Sequence, residues 1–219
     1  MKYFDYNEDG DISDADRMNV GKAIPDFYGG ITSNFSYKGF DLSLFGQFSV
    51  GGKVMSAWRG VNGSEGTDHL GLALSNVKVN DRGESVEQYF NVSKEVANGY
   101  WRGEGTSNTI PRPVRIGVHT GYDYDYNVQT STRYLEDASY FKLKTVTLGY
   151  TLPESVVKKL RVNSLRVYVS ADNLLTLTKY SGYDPETSFS GSPGDSNYGV
   201  DFGLQPVLRT FIFGLNLNF

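Results

Sequence analysis

Residues Phe27–Val50 read FYGGITSNFSYKGFDLSLFGQFSV, and the alternation within them decides the fold. In Phe27–Lys38 the odd positions are Phe27, Gly29, Ile31, Ser33, Phe35 and Tyr37, while the even ones include Thr32, Asn34, Ser36 and Lys38. In Phe40–Val50 the phase reverses: Phe40, Leu42, Leu44, Gly46, Phe48 and Val50 are even, set against Asp41, Ser43, Gln47 and Ser49. A period of two is the repeat of a strand with one apolar face. The link Lys38-Gly39 is short enough for a tight hairpin. Each run exceeds the soluble strand of about 5–6 residues and suits the roughly 9–11 residues of a tilted membrane strand.

Working outward, residues 1–26 are polar, acidic and turn-rich, and residues 51–133 lose the alternation. Within the latter, Leu70–Val77 and Val86–Ala97 are expected as short helices. Alternation returns in Tyr140–Leu152, but its phase shifts. Phe141 and Leu143 are odd, whereas Val146, Leu148, Tyr150 and Leu152 are even, so a bulge is expected near Lys144. Pro153–Asn163 is a short connection with room for one helical turn. Leu165–Thr178 alternates again, residues 179–206 form a loop rich in Gly, Ser, Asp and Pro, and Phe211, Phe213, Leu215, Leu217 and Phe219 close the chain in alternation. The organisation is therefore an acidic segment (1–26), a hairpin (27–50), a long loop (51–133), and three last strands (134–219) with the loop 179–206 between them.

Connections alternate short (38–39), long (51–133), short (153–163) and long (179–206). Short turns on one side and long loops on the other are the habit of a membrane β-barrel. The fold class is thus all-β, an antiparallel transmembrane β-barrel represented by about five strands, an open sheet if isolated. A soluble antiparallel sandwich alternates too. The two differ in which side is buried: a sandwich buries the apolar faces, whereas a barrel wall turns them outward.

Composition is compatible with the barrel. The 219 residues include 25 Gly, 16 Tyr and 13 Phe, yet mean hydropathy is only −0.39. No run of 18 or more apolar residues exists, which excludes a helical membrane span. The net charge of −4 shows no basic patch for nucleic acid. No Cys is present, which removes disulfides, thiolate metal sites and Cys nucleophiles. The opening Met1-Lys2-Tyr3-Phe4-Asp5 has no apolar signal-peptide core. A chain starting there is expected to be cytosolic or to lack its true N-terminus.

The sharpest local motif is Asp5-x-Asn7-x-Asp9-Gly10-Asp11-Ile12, followed by Asp16. Its spacing is that of an EF-hand calcium loop. Asp5, Asn7 and Asp9 would offer side-chain oxygens, Asp11 its backbone carbonyl and Asp16 the closing carboxylate. Asp16 stands where a bidentate Glu is usual, as in dockerin-type loops. A structural Ca2+ is the expected cofactor, and an acidic solvated turn is the alternative. Catalysis finds no constellation: His69 and His119 stand apart, and no phosphate loop occurs. Trp58, Trp101, Tyr122, Tyr124 and Tyr126 fall in the long loop, where rings stack on sugars or anchor protein contacts. Asn62-Gly63-Ser64 and Asn91-Val92-Ser93 match glycosylation sequons.

Several stretches resemble the SusC/RagA family of TonB-linked outer-membrane proteins. They are FDYNEDGDISDADRMNVGKAIPDFYGGI, NFSYKGFDLSLFGQF, TIPRP, RYLEDASYFKLKTVTLGYTLP, RVYVSADNLLTLTKYSGYDPE and LRTFIFGLNLNF, in that order along the chain. The resemblance implies the C-terminal part of a barrel of about 22 strands with a plugged lumen. It implies import of glycans or peptides across the outer membrane of a Gram-negative bacterium, energised by TonB, with a SusD-like surface lipoprotein as partner. It also makes Phe219 a signal for the barrel-assembly machinery. The signal sequence, TonB box and plug of the family do not occur in these residues. The alternative reading is a soluble, calcium-binding, non-enzymatic β-rich adhesion or scaffold module. A dockerin needs two calcium loops, and only one DxNxDG is present.

Overall fold

The computed structural model describes residues 4–57, 73–79, 82–89, 94–115, 131–186 and 198–219. They divide into two compact units. One comprises Met1–Gly21, Met55–Leu135 and Val200–Gly203, the other Lys22–Val54, Glu136–Gly199 and Leu204–Phe219. The strands in chain order are β1 (Phe27–Tyr37), β2 (Phe40–Val50), β3 (Lys53–Ser56), β4 (Ala73–Val79), β5 (Ser85–Tyr89), β6 (Val114–Arg115), β7 (Leu135–Asp137), β8 (Tyr140–Thr151), β9 (Ser164–Thr178), β10 (Val200–Asp201) and β11 (Thr210–Asn218). The helices α1 (Lys94–Gly99) and α2 (Glu154–Val157) are short. No helix among the described residues is long and apolar enough to cross a membrane.

The second unit is built on a five-stranded sheet in the order β1-β2-β8-β9-β11. Every neighbour pair is antiparallel. β1 and β2 meet through Lys38 and Gly39, both at positive φ (47° and 87°), the pair of values a type I′ hairpin turn requires. Register then sorts the side chains. Phe27 faces Val50, Phe35 faces Leu42, and Tyr37 faces Phe40, so the apolar phases of the two strands share one face. Leu42, Leu148 and Val169 continue that row across β2, β8 and β9, and Phe213 extends it to β11.

The expected bulge lies at Lys144. Phe45 pairs with Thr145 and Gly46 with Leu143, which leaves Lys144 outside the β2–β8 ladder. The β8–β9 ladder shifts at the same height, between Leu143 and Thr145. Opposite it, Asn173 of β9 takes a left-handed φ of 53°. The extra residue returns Phe141 and Leu143 to the apolar face.

Burial answers the question of which side is covered. The apolar face is open: Leu148 is 44% exposed, Leu177 56% and Phe213 82%. Its buried strand positions are the small Gly46 and Ala171. The opposite face carries buried Tyr140, Lys142, Gly149 and Ser170. That is the distribution of a barrel wall. Three aromatic rings also take the space of missing side chains. Phe48 covers Gly29, Phe141 covers Gly46 and Tyr168 covers Gly214, which restores packing where glycine weakens a strand.

In the first unit, β4 pairs with β5 antiparallel and with β6 parallel. The Met55 and Ser56 end of β3 pairs in parallel with β10. Here two sequence expectations need correction. Ala73–Val79 and Ser85–Tyr89 are strands, not helices, while the last part of the expected Val86–Ala97 helix does fall within α1. The physical reason is local: Ser75 and Asn76 are poor helix formers, and the β-branched Val77 and Val79 alternate about Lys78. Tertiary pairing outweighs the weak helical signal of so short a segment. The connection after β8 does contain its helical turn, α2, followed by a 3-10 turn over Lys158–Leu160.

Candidate functional site

The acidic loop closes on itself through its own side chains. The Asp16 carboxylate accepts from the backbone N–H groups of Tyr6 (2.8 Å) and Ser13 (2.7 Å). Asp5 Oδ2 accepts from Gly10 N (2.9 Å), Asn7 Oδ1 from Asp9 N (3.1 Å) and Asp9 Oδ1 from Asp11 N (2.9 Å). Gly10 supplies the positive φ of 88° that the turn demands. The structure thus brings Asp5, Asn7, Asp9, Asp11 and Asp16 into one turn. The Ser13 N–H, with help from Tyr6, Asn7 and the adjoining Asp5 side chain, holds the Asp16 carboxyl below its ordinary range. Asp5 Oδ1 is buried within the turn and has no hydrogen-bond partner. Among the described residues no three His, Asp or Glu side chains converge as a metal cage. A cation here would rest partly on Asn7 and on the Asp11 carbonyl. The lone Oδ1 and the adjoining carboxyls of Asp5 and Asp16 fit such an ion, because two facing carboxylates need a shared proton or a cation between them.

Sequence reasoning missed the charge network on the non-apolar face of the sheet. Register places Lys142 there, opposite Gln47 on β2 and Thr176 on β9. Lys142 is only 1% exposed. Its ammonium meets Asp184 Oδ1 at 2.5 Å and Glu186 Oε2 at 2.8 Å, and Lys144 reaches the same Glu186 oxygen at 2.6 Å. Burial pushes the Glu186 carboxyl up, but the hydrogen bonds and charges of Lys142 and Lys144 outweigh this and hold it below its usual range. The segment after β9 therefore folds back to this face, with Asp184 and Pro185 buried there and Tyr180 buried with Val54 and Ala138. Its other foot is Ser181, whose N–H and hydroxyl both donate to the Glu136 carboxylate at 2.8 and 2.7 Å. The one signal in sequence was the phase shift at Lys144, which brackets a carboxylate between two lysines once the bulge is granted.

A second pair lies nearer the hairpin end. Arg166 grips Asp41 through Nε–Oδ1 (2.9 Å) and Nη2–Oδ2 (2.5 Å). Its guanidinium also lies over the Tyr168 ring.

Phe219 follows β11 and is 82% exposed, in phase with the apolar row. In the first unit, the Trp101 side chain is exposed while its backbone N–H donates to Ile110 O (2.9 Å), beside Arg102 stacked on the Tyr100 ring. Trp58, Tyr122, Tyr124, Tyr126, His69, His119 and both sequons lie outside the described residues.

Known proteins agree with this geometry. No family model matches the chain. It is 34% identical over 221 residues to TonB-dependent receptor P3 of Formosa agariphila, an alignment covering 99% of the chain and 19% of that receptor. TonB-dependent receptor P26 of the same organism is 32% identical, with 100% and 19% covered. TonB-dependent receptor SusC of Bacteroides thetaiotaomicron is 26% identical, with 99% and 17% covered. The chain thus spans about a fifth of the length of the curated relatives it matches. Among solved structures, the RagAB peptide transporter aligns with a TM-score of 0.61 at 24% identity, over 91% of this chain and 18% of that one. The RagAB peptide importer in its closed-closed state gives 0.60 at 23%, over 92% and 18%. At that identity the likeness speaks for the fold. Along nearly its whole length this chain is similar to proteins named TonB-dependent receptor, SusC among them, and it shares its fold with a segment of the RagAB transporter.

Proposed function

We propose that the chain is the C-terminal barrel wall of an outer-membrane transporter. In this reading the whole receptor imports glycans or peptides in a Gram-negative bacterium. It works with a SusD-like surface lipoprotein and draws energy from TonB through parts outside this segment. The chain's own contribution is structural: it is not an enzyme, and its strands hold the lumen. The observation that carries the reading is the open apolar face opposed to one that buries Tyr140, Lys142, Gly149 and Ser170 and carries the charges. A row of Leu and Phe side chains at lipid height costs nothing in a bilayer and is a liability in water. Phe219, last in that row, would serve the assembly machinery.

The test uses the full receptor in its own outer membrane. Fluorophores attached to single cysteines at Leu148 and Phe213 should be quenched by a lipid-soluble nitroxide, and one at Asn34 should not. Equal quenching at all three sites would sink the wall assignment. Loss of glycan or peptide uptake on deleting the receptor would support transport, and unchanged growth on both nutrient classes would count against it.

A structural calcium ion in the Asp5–Asp16 turn is the second element of the proposal. The unpartnered Asp5 Oδ1 favours it. The ion would pin the turn, with no part in transport chemistry. Terbium luminescence sensitised by Tyr6 in the folded receptor, lost in Asp5→Asn, is the expected result. No calcium-displaceable terbium signal would remove the idea.

A further inference from the structure

We propose that Tyr180–Glu186 is a fixed strap across the inner face of the barrel wall, and that Lys142 and Lys144 are its latch. The inference rests on the reading above, that the face opposite the apolar row lines the lumen.

Four observations point the same way. Lys142 lies on the non-apolar face by register, between Gln47 and Thr176. A lysine on a solvated channel wall would keep its ammonium in water. Instead this one is 1% exposed. Asp184 and Glu186 reach its ammonium, and Asp184 and Pro185 are themselves buried, so the segment turns in over the face and does not project away from the rim. Two feet fix the crossing. One is the Lys142–Asp184–Glu186–Lys144 network, the other the double hydrogen bond of Ser181 to Glu136. The network also balances: two ammonium groups meet two carboxylates, so covering it leaves no net charge stranded.

The bulge belongs to the device. In an unbroken strand every residue serves the ladder. Here Lys144 is released from it, and its ammonium is free to join Lys142 on one carboxylate oxygen of Glu186. Asp184 in turn accepts from the Glu186 N–H at 2.9 Å, which shapes the strap's end to present both acids together. A segment so held narrows the path to the wall residue paired with Lys142 on β2, the half-buried Gln47 on the same face.

The experiment places a cysteine at Gln47, beside Lys142, in the full receptor, freed of other accessible cysteines, in whole cells. Labelling by a small maleimide is compared with labelling by a polyethylene-glycol maleimide too wide to pass a held strap. In the native background the small reagent should react several-fold faster than the large one. In Lys142→Met the gap should close. In the charge-exchanged Lys142→Asp, Asp184→Lys pair it should reopen. Ser181→Ala removes the hydroxyl bond of the other foot, keeps its backbone N–H bond and strands no charge, and it should also narrow the gap in part, so the proposal does not hang on one variant. Equal discrimination in native and released receptors, at any level of labelling, would overturn the strap. Absence of the native receptor from the outer-membrane fraction would instead overturn the transporter reading, and is scored separately.

Discussion

Arg166 holds Asp41 across Gly149, with Nε–Oδ1 at 2.9 Å and Nη2–Oδ2 at 2.5 Å. Asp41 is opposite Gly149 on one side, and Arg166 reaches over from β9 on the other. A Cβ at position 149 would overlap both the guanidinium and the carboxylate. Gly149→Ala should therefore break the bridge and lower stability only slightly, since the pair is part-exposed. The cost should nearly vanish in an Asp41→Asn background. Urea unfolding of the receptor in liposomes, monitored by gel mobility, measures the cycle.

The apolar row predicts a sharp asymmetry. Leu148→Arg or Phe213→Arg would put a charge toward lipid and should cost roughly 2–4 kcal/mol near the membrane midplane. Asn34→Lys on the opposite face, across from Ser43, should leave assembly intact. The amount of heat-modifiable receptor in outer-membrane fractions reads both.

Tyr168 lies over Gly214, its direct partner on β11. Gly214→Val should displace the ring and destabilise the last strand pair by about 1 kcal/mol or more, an overpacking cost. Tyr168→Ala with Gly214→Val should recover part of it. The same liposome unfolding assay applies.

Acid should loosen the Asp5–Asp16 turn. The Asp16 carboxyl lies below its unfolded value, chiefly through the Ser13 N–H. Its contribution is therefore full above the ordinary carboxylate range and is lost as pH falls through the lowered folded value. Proteolysis near residues 5–16 should stay slow at neutral pH and accelerate at strongly acid pH. Asp16→Ala should be cleaved at both.

The strap should follow the same sign at Glu186. Lys142 and Lys144 depress its carboxyl against the opposing effect of burial. The stabilisation it gives is present at neutral pH and is lost on acidification through the depressed value. Lys142→Met leaves Asp184 buried without its cation and should cost about 3–5 kcal/mol in local stability. Hydrogen exchange over Tyr180–Glu186 is the direct measure.

Much of the sheet could be read from the sequence because a strand's period and a turn's chemistry are local. Phe27–Val50 declared both strands and the Lys38-Gly39 turn, and the phase slip in Tyr140–Leu152 located the bulge at Lys144. The short strands Ala73–Val79 and Ser85–Tyr89 were not legible, since a few residues of weak pattern take the structure their partners impose. The acidic turn was legible as spacing. The contacts that fix the sheet's interior were not. Asp41 and Arg166 are 125 residues apart, and Lys142 and Asp184 are 42 apart. Such pairs exist only once register and loop direction are set. The rings over Gly29, Gly46 and Gly214 are hidden in the same way.

The bulge has a consequence for inheritance. Lys144 behaves as an inserted codon: remove it, and Leu143 still meets Gly46 while Thr145 still meets Phe45, so β2 and β8 pair without a break. The same deletion takes away one of the two cations that Glu186 needs. Relatives lacking the residue should then have lost the acid at position 186 as well, and the two changes should appear together in gene sequences, although 42 residues separate them.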